Sequence, residues 1–589
     1  MKLPRLFAAV ALAASALLSP RTALGANADF DRWAESFATD WVRANPTFST
    51  LQQYLPAAEQ DALDRQLTPN TKEFRAGRVG AAKAALADLA KFDRATLSAD
   101  QRASAATIEW SLRGIVESEP FADFNFVFNQ FGGLHVNAVN FLTQAHPIRN
   151  RRDIENYLAR LALVAGRIDE GVAQAKDAAA RGFLMPDFIT RSTLGQFERF
   201  LSGPPRENRF VASLDERAAN LKDVTAEERA QFVAAAEKIT TEQIIPAFHR
   251  AQAMLQEQLP HTTSDAGLCR LPGGDQAYAN ALKRFTTTDL TAEQIHQLGL
   301  REVARIEKEM DGYFRQLGYP DGSIKERMEK LEHDRQPTEA DPRPMMLAKF
   351  ESILRDAEQR AKLVFDITPK APVIVKREPP FTEKTAAAHY TGPAKDGSRP
   401  GIFWAPLPGP TFEIATMRTL VYHEGVPGHH FQIALQRETE SLPRYRRDGI
   451  FSGGSAYAEG WALYAEQLAA ENNWYEGDLV GRLGQLDDEL FRARRLVVDT
   501  GLHAFKWTRQ QAIDYGIKAS EVERYVMNPG QACAYKIGML KILELRGQAQ
   551  QALGPKFEIK KFHNLVLQTG NVPLAVLEQV VHEWVAAQK

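Results

Sequence analysis

Amphipathic helical patterning runs through most of this chain, and it leaves little room for any fold that is not mainly α. Residues 29–54, 71–91, 99–118, 151–181 and 225–259 carry apolar side chains at helical spacing between alanine-rich and charged faces. Thr291 opens a further helix, with Glu293 in its first turn, that continues to about Leu317. Proline and glycine gather in 337–344 and 369–410, the least helical stretches, and the β-branched run Val373-Ile374-Val375 predicts a strand inside the second. The expectation is a large, mainly α, two-lobed fold with one small β-sheet. A helical N-terminal lobe over 29–265 would pack against a second lobe over 266–589, with a deep cleft between them.

Composition narrows the function classes. The chain is 44% hydrophobic and 25% charged with a net charge of −2, and it has neither a basic block suited to nucleic acid nor an acidic tail. Lys2 and Arg5, the apolar run Leu6 to Leu18 and the small-residue sites Ala23-Leu24-Gly25 and Ala26-Asn27-Ala28 predict a secretory signal peptide over residues 1–28. That run is too short for a comfortable membrane span, and no cysteine follows it to take a lipid anchor. The mature protein is therefore expected to be periplasmic or secreted, without membrane attachment after cleavage. Export permits a disulfide between Cys269 and Cys533, but two cysteines make no disulfide scaffold, and no C-x-x-C pair offers a cysteine zinc site.

Chemistry concentrates in Tyr422-His423-Glu424-Gly425-Val426-Pro427-Gly428-His429-His430, which follows an apolar helical run, Ile414 to Val421. Imidazole is the commonest side-chain ligand of zinc, and a Glu beside a ligand His is placed to act as a general base. The H-E-x-x-H spacing of zinc hydrolases would put the second His at position 427, where this chain has proline. On a straight helix His430 faces the same way as His423 but lies about 10 Å up the axis, too far for both rings to reach one ion. Pro427-Gly428 supplies a break. Looping out two residues returns His429 to the one-turn position, whereas His430 needs three. Without such a break these imidazoles only cap or pack a helix end. His582-Glu583 in the last helix, with no His after it, reads as surface.

Ser455 to Glu466 reads as an alanine-rich helix with aromatics on one side. One group of zinc peptidases completes an open three-ligand site with a Glu on a second helix. Glu459, 36 residues after His423 and set among small and aromatic side chains, is favoured for that part. Glu466, seven residues further on a similar face, reads as a solvated charge.

Together with Gly267 to Gly274, Leu290 to His296, Asp396 to Gly401, Val498 to His503 and Asn528 to Tyr535, these segments resemble the bacterial domain of unknown function 885 family over much of the chain. More distantly the chain is similar to the Glu-zincin metallopeptidase clan of thimet oligopeptidase and angiotensin-converting enzyme. The resemblance implies a metallopeptidase-like fold with Zn2+ as cofactor. It implies His423, His429 and Glu459 as metal ligands and Glu424 as the general base. His429 is preferred to His430 because family members resemble one another more at that position, which leaves His430 in a supporting place. A Tyr or His on a later helix is implied as oxyanion donor, and Tyr535 and His503 are the candidates. Asp499, four residues before His503 on one helical face, would pair with it or orient a ligand His.

The implied function is an exported zinc-dependent peptidase that hydrolyses short peptides by metal-activated water. A zinc hydrolase of a non-peptide or cell-wall amide is the nearer alternative. A non-catalytic helical binding protein is the other, against which an intact Glu424 speaks. Arg399 to Leu407 reads either as an edge strand, which tolerates Pro400 and Pro406 and can pair with an extended peptide, or as a loop that carries Phe403 and Trp404 into the core. Nothing in the sequence assigns an oligomeric state.

Overall fold

The computed structural model describes residues 27–589 apart from 381, 385 and 396, so the expected signal peptide lies outside the described residues up to position 26. Helices start where side chains satisfy backbone N–H groups that have no partner within the helix. Asn27 caps α1 (Ala28–Arg43) by accepting from the N–H groups of Asp29 and Phe30. The stretch expected as one helix over 29–54 divides after Arg43. Asn45 caps a separate α2 (Pro46–Gln52), whose Pro46 sits in the first turn where a missing N–H is harmless. α3 (Lys72–Leu89), α4 (Ala99–Ser118) and α5 (Arg151–Ala180) follow the periodicity closely. The stretch 225–259 becomes α6 (Ala226–Ile239) and α7 (Ile245–Gln258), joined by a widened π-type turn over Thr240–Ile244 just ahead of Pro246. α8 (Gly274–Thr286), α9 (Ala292–Gln316) and α10 (Arg343–Val364) lead into the sheet.

The sheet has three strands, β1 (Val373–Arg377), β2 (His389–Thr391) and β3 (Gly401–Ala405), in the order β1-β3-β2. β3 pairs parallel with β1 and antiparallel with β2. The segment read as an edge strand or a loop is therefore the central strand. Pro400 and Pro406 stand just outside the paired residues, so neither removes a ladder hydrogen bond. Phe403 is fully buried, edge-on to Phe350 of α10.

Beyond the sheet the chain includes helices α11 (Met417–Leu420), α12 (His429–Glu438), α13 (Ser455–Glu471), α14 (Leu479–His503), α15 (Ala519–Met527), α16 (Ala534–Leu553), α17 (Ile559–Thr569) and α18 (Leu574–Gln588). The apolar clusters cross position 265. Phe30, Trp41 and Leu112 pack with Tyr445, Ile450 and Phe451. The cluster built on Tyr157, Phe197 and Phe248 takes in Val498 and Leu502 of α14 and Tyr525 of α15. No helix among the described residues is long and apolar enough to cross a membrane. Cys269 and Cys533 are both free, so the permitted disulfide is not formed.

α14 carries a buried polar row, Gln485, Glu489, Arg492, Arg495, Asp499 and His503, at three- and four-residue spacing. Burying such a row is tolerable only if it is partnered. Glu489 meets Lys536 at 2.6 Å, and Arg495 donates to the Tyr525 hydroxyl at 3.0 Å. α14 also packs against α11, which leads into the segment that carries His423.

Candidate metal centre

The chain reaches the site through α11, whose last turn widens into a π-type turn over Val421–Gly425 that holds His423 and Glu424. Val426 is extended, the Val426–Pro427 peptide bond is cis, and a fresh helix, α12, begins at His429. The break is thus longer than two looped-out residues: it starts in the widened turn. Its geometry depends on Gly428. A Cβ there would stand 1.9 Å from the His423 carbonyl oxygen and 2.4 Å from that of Tyr422, so only glycine lets the strand cross the end of the turn. From α13, Trp461 donates its indole N–H to the Pro427 carbonyl at 2.9 Å and pins the crossing.

This path brings the rings of His423 and His429 to 4.9 Å between centroids, perpendicular to each other. Glu459, on the first turns of α13, places Oε2 at 3.7 Å from His423 Nε2 and 3.5 Å from His429 Nε2. One ligand atom from each of the three lies within 4.8 Å of the others. Ligands bound to zinc at 2.0–2.1 Å with tetrahedral angles stand about 3.4 Å apart, so the donor set fits one small ion. The Nδ1 of His429 is buried without a partner.

Electrostatics bind the cluster. Burial opposes the charged form of His423, but the hydrogen bonds and charges of Glu459, Glu466 and Glu424 win and carry it up to about 10. Burial likewise opposes ionisation of Glu459, yet its contacts with His423 and His429 hold it well below the usual carboxylate range.

Glu466 is not the solvated charge expected. It is 1% exposed, accepts from His423 Nδ1 at 2.6 Å and from the Thr419 hydroxyl at 2.8 Å. A carboxylate on Nδ1 fixes the ring so that Nε2 faces Glu459, the usual support of a metal-binding imidazole. Glu466 stands two helical turns from Glu459 on the same face of α13, which is how both reach the same imidazole. Glu424 is also buried, and no hydrogen bond or ion pair reaches its carboxylate among the described residues. Burial first, then the Glu459 charge, push its proton affinity up, against His423, His429 and Arg492.

The outlying candidates separate. Tyr535, at the start of α16, is partly exposed, has the Arg495 guanidinium 4.4 Å from its ring centre, and makes no hydrogen bond through its hydroxyl among the described residues. α16 meets α13 backbone to backbone: a Cβ on Gly538 would lie 1.9 Å from the Ala456 carbonyl oxygen, and one on Gly460 would lie 2.5 Å from Gly538. The helix of Tyr535 is thereby held against the helix of Glu459. His430 turns away from the cluster and is hydrogen-bonded through Nδ1 to the Tyr390 hydroxyl at 2.9 Å.

Among the described residues His503 and Asp499 do not pair, and neither is hydrogen-bonded to His423 or His429. His503 is fully buried and accepts from the Leu268 N–H on one ring nitrogen and donates to the Tyr525 carbonyl on the other. With both nitrogens used by backbone it has nothing to offer a substrate. Asp499 accepts from the Tyr278 hydroxyl at 2.6 Å and the Gly530 N–H at 2.9 Å, so it holds the turn that leads to Tyr535.

A sequence profile described as "Bacterial protein of unknown function (DUF885)" matches residues 47–581. No curated protein matches the chain. A crystal structure of a candidate lipoprotein from Colwellia psychrerythraea is 30% identical with a TM-score of 0.84, covering 94% of this chain and 99% of that one. A candidate lipoprotein of unknown function from Shewanella oneidensis is 18% identical with a TM-score of 0.70 over the same shares of the two chains, which shows the fold alone. A candidate oligoendopeptidase F from Bacillus anthracis str. Ames aligns at 11% identity over 95% of this chain and 96% of that one, and its TM-score of 0.26 supports no argument.

Proposed function

We propose that this chain, which belongs to the DUF885 family, is an exported zinc-dependent peptidase acting on short peptides. The observation that carries the reading is the meeting of His423, His429 and Glu459 within 4.8 Å beside a Glu424 whose carboxylate has no partner among the described residues. Zn2+, when bound by those three residues, polarises a scissile carbonyl and makes water a nucleophile at neutral pH. The protein's own part is proton transfer and positioning. Glu424 takes the proton of the attacking water and passes it to the leaving amine, and burial keeps its proton affinity high enough for that exchange. Glu466 and Thr419 hold the His423 ring. Tyr535, with a free hydroxyl on the helix packed against α13, is the donor for the developing oxyanion. The expected leader and the absence of a membrane-length helix among the described residues support action in the periplasm.

Elemental analysis of the purified protein, with peptide hydrolysis by the parent and by Glu424→Gln, tests the reading. One zinc per chain is expected in both. Hydrolysis should fall about 10²- to 10⁴-fold in the variant, the usual worth of general acid–base help. Metal lost along with activity would make Glu424 a ligand and undo its role as base.

A further inference from the structure

Glu459 and Tyr535 stand on two helices, α13 and α16, that meet through small residues. Gly460 touches Gly538 backbone to backbone, and the Ala456 carbonyl lies against Gly538. Ridges of larger side chains are what lock packed helices in register. A contact of glycine and alanine sets how closely the two helices approach and does little to fix one along the other. A slip of α16 by about 1 Å would carry the Tyr535 hydroxyl with it, and misplacement on that scale costs a reaction about 10²-fold.

Lys536, the residue after Tyr535, supplies a fixed point. It is fully buried, and its three donors have three partners: Glu489 at 2.6 Å, Glu302 at 3.0 Å and the Met539 sulfur at 3.7 Å. Arg305 pairs with Glu302 at 3.0 Å and also with Glu489, so two cations balance two carboxylates where α9, α14 and α16 meet. Desolvation offsets most of the attraction in a buried ion cluster, and the best-attested use of such a cluster is to fix register. α14 holds the other side of Tyr535 as well. Its Asp499 accepts from the Gly530 N–H at 2.9 Å, and its Arg495 guanidinium lies 4.4 Å from the Tyr535 ring centre. The same helix meets the segment leading to His423 with no side chain between them, since a Cβ on Gly484 would stand 2.1 Å from the Ala415 carbonyl oxygen. α14 is thus a common reference for the metal ligand and for Tyr535, and Lys536 fastens α16 to it.

We propose that Lys536 is a positioning residue, whose contacts with Glu489 and Glu302 hold the Tyr535 hydroxyl in register with the metal cluster. This rests on the peptidase reading, with Tyr535 as oxyanion donor, and deepens it.

The test is a double-variant cycle on the full-length, zinc-loaded protein, with kcat and KM measured on a set of internally quenched tetrapeptides. Tyr535→Phe should lower kcat about 10²- to 10³-fold, the usual worth of one oxyanion donor. Lys536→Met keeps most of the volume and removes the charge. It should lower kcat about tenfold or more with zinc content unchanged and KM within about twofold, since the contact it aligns is made in the transition state. Added to Tyr535→Phe, it should lower kcat by less than about twofold further, because its effect passes through that hydroxyl. If Lys536→Met does not fold, Lys536→Met with Glu489→Gln restores the balance of charge and takes its place in the cycle. A kcat unmoved by the loss of Lys536, or lowered by the same factor with and without the Tyr535 hydroxyl, overturns the positioning role and leaves the peptidase reading standing. A kcat unmoved by Tyr535→Phe overturns it too, along with the oxyanion assignment. A zinc-loaded parent that cleaves none of the peptides removes the peptidase reading itself, and this inference with it.

Discussion

His429 and His430 are adjacent and chemically identical, yet the backbone sends them to different partners. His429 turns toward Glu459 and His423, and His430 toward Tyr390. His429→Ala is expected to lose most bound zinc, and His430→Ala to keep it, when metal is counted after gel filtration; the reverse pattern would exchange their assignments. Asp499 makes a second prediction through its environment. Burial raises it to about 7, against the help of Tyr278 and Gly530. A carboxyl raised in the folded state favours folding fully below its unfolded value near 4. It loses that contribution as pH climbs through about 7, at about 1.4 kcal/mol for each pH unit between the two values. Asp499→Asn removes the loss. The melting temperature of the variant relative to the parent should therefore rise from pH 4.5 to pH 7.5, and a difference that ignores pH would contradict the burial argument. At this scale the meeting of His423, His429 and Glu459 was legible in the sequence because imidazoles and a carboxylate carry their chemistry with them and Pro427-Gly428 announces the break that brings the two rings together. The burial of Glu466 was not. Whether a helical Glu meets solvent or a histidine depends on Thr419 and His423 arriving from another segment, which periodicity cannot register.

Among elements, the segment from Val421 to His429 does most to define the molecule. Its turn, extended step and new helix close only because Gly428 has no side chain to strike the carbonyls of Tyr422 and His423. Gly428→Ala should force this crossing apart. Overpacking of this kind costs about 1–3 kcal/mol, so zinc affinity read by chelator competition should drop about tenfold or more. Unchanged affinity would mean that the contact relaxes without moving either imidazole. The long helices were readable from the chain alone, since an apolar stripe repeating every 3.6 residues over several turns lines one face of a helix and falls on both faces of a strand. Shorter features were not. The central place of β3 follows from two partners remote in sequence, β1 and β2, and the division at Asn45 follows from a cap that a continuous apolar stripe conceals.

At the scale of the whole molecule, the clusters that cross position 265 bear on how the chain folds. Tyr157, Phe197 and Phe248 lean on Val498, Leu502 and Tyr525, and the first helix packs with Phe451. Residues 29–265 expressed alone should then expose this surface, bind a hydrophobic dye and melt without a sharp transition. A cooperative melt of that fragment would show that the N-terminal half carries a complete core of its own. The polar row of α14 has a consequence for how such a chain can vary. Successive residues of a helix are rotated by about 100°. Removing one residue near Leu490 would leave composition almost unchanged but swing Arg492, Arg495, Asp499 and His503 together out of phase with every partner they have. Single replacements along this helix are local events, whereas a slip of register is a global one, so length along α14 should be held more strictly than the identity of most side chains on it.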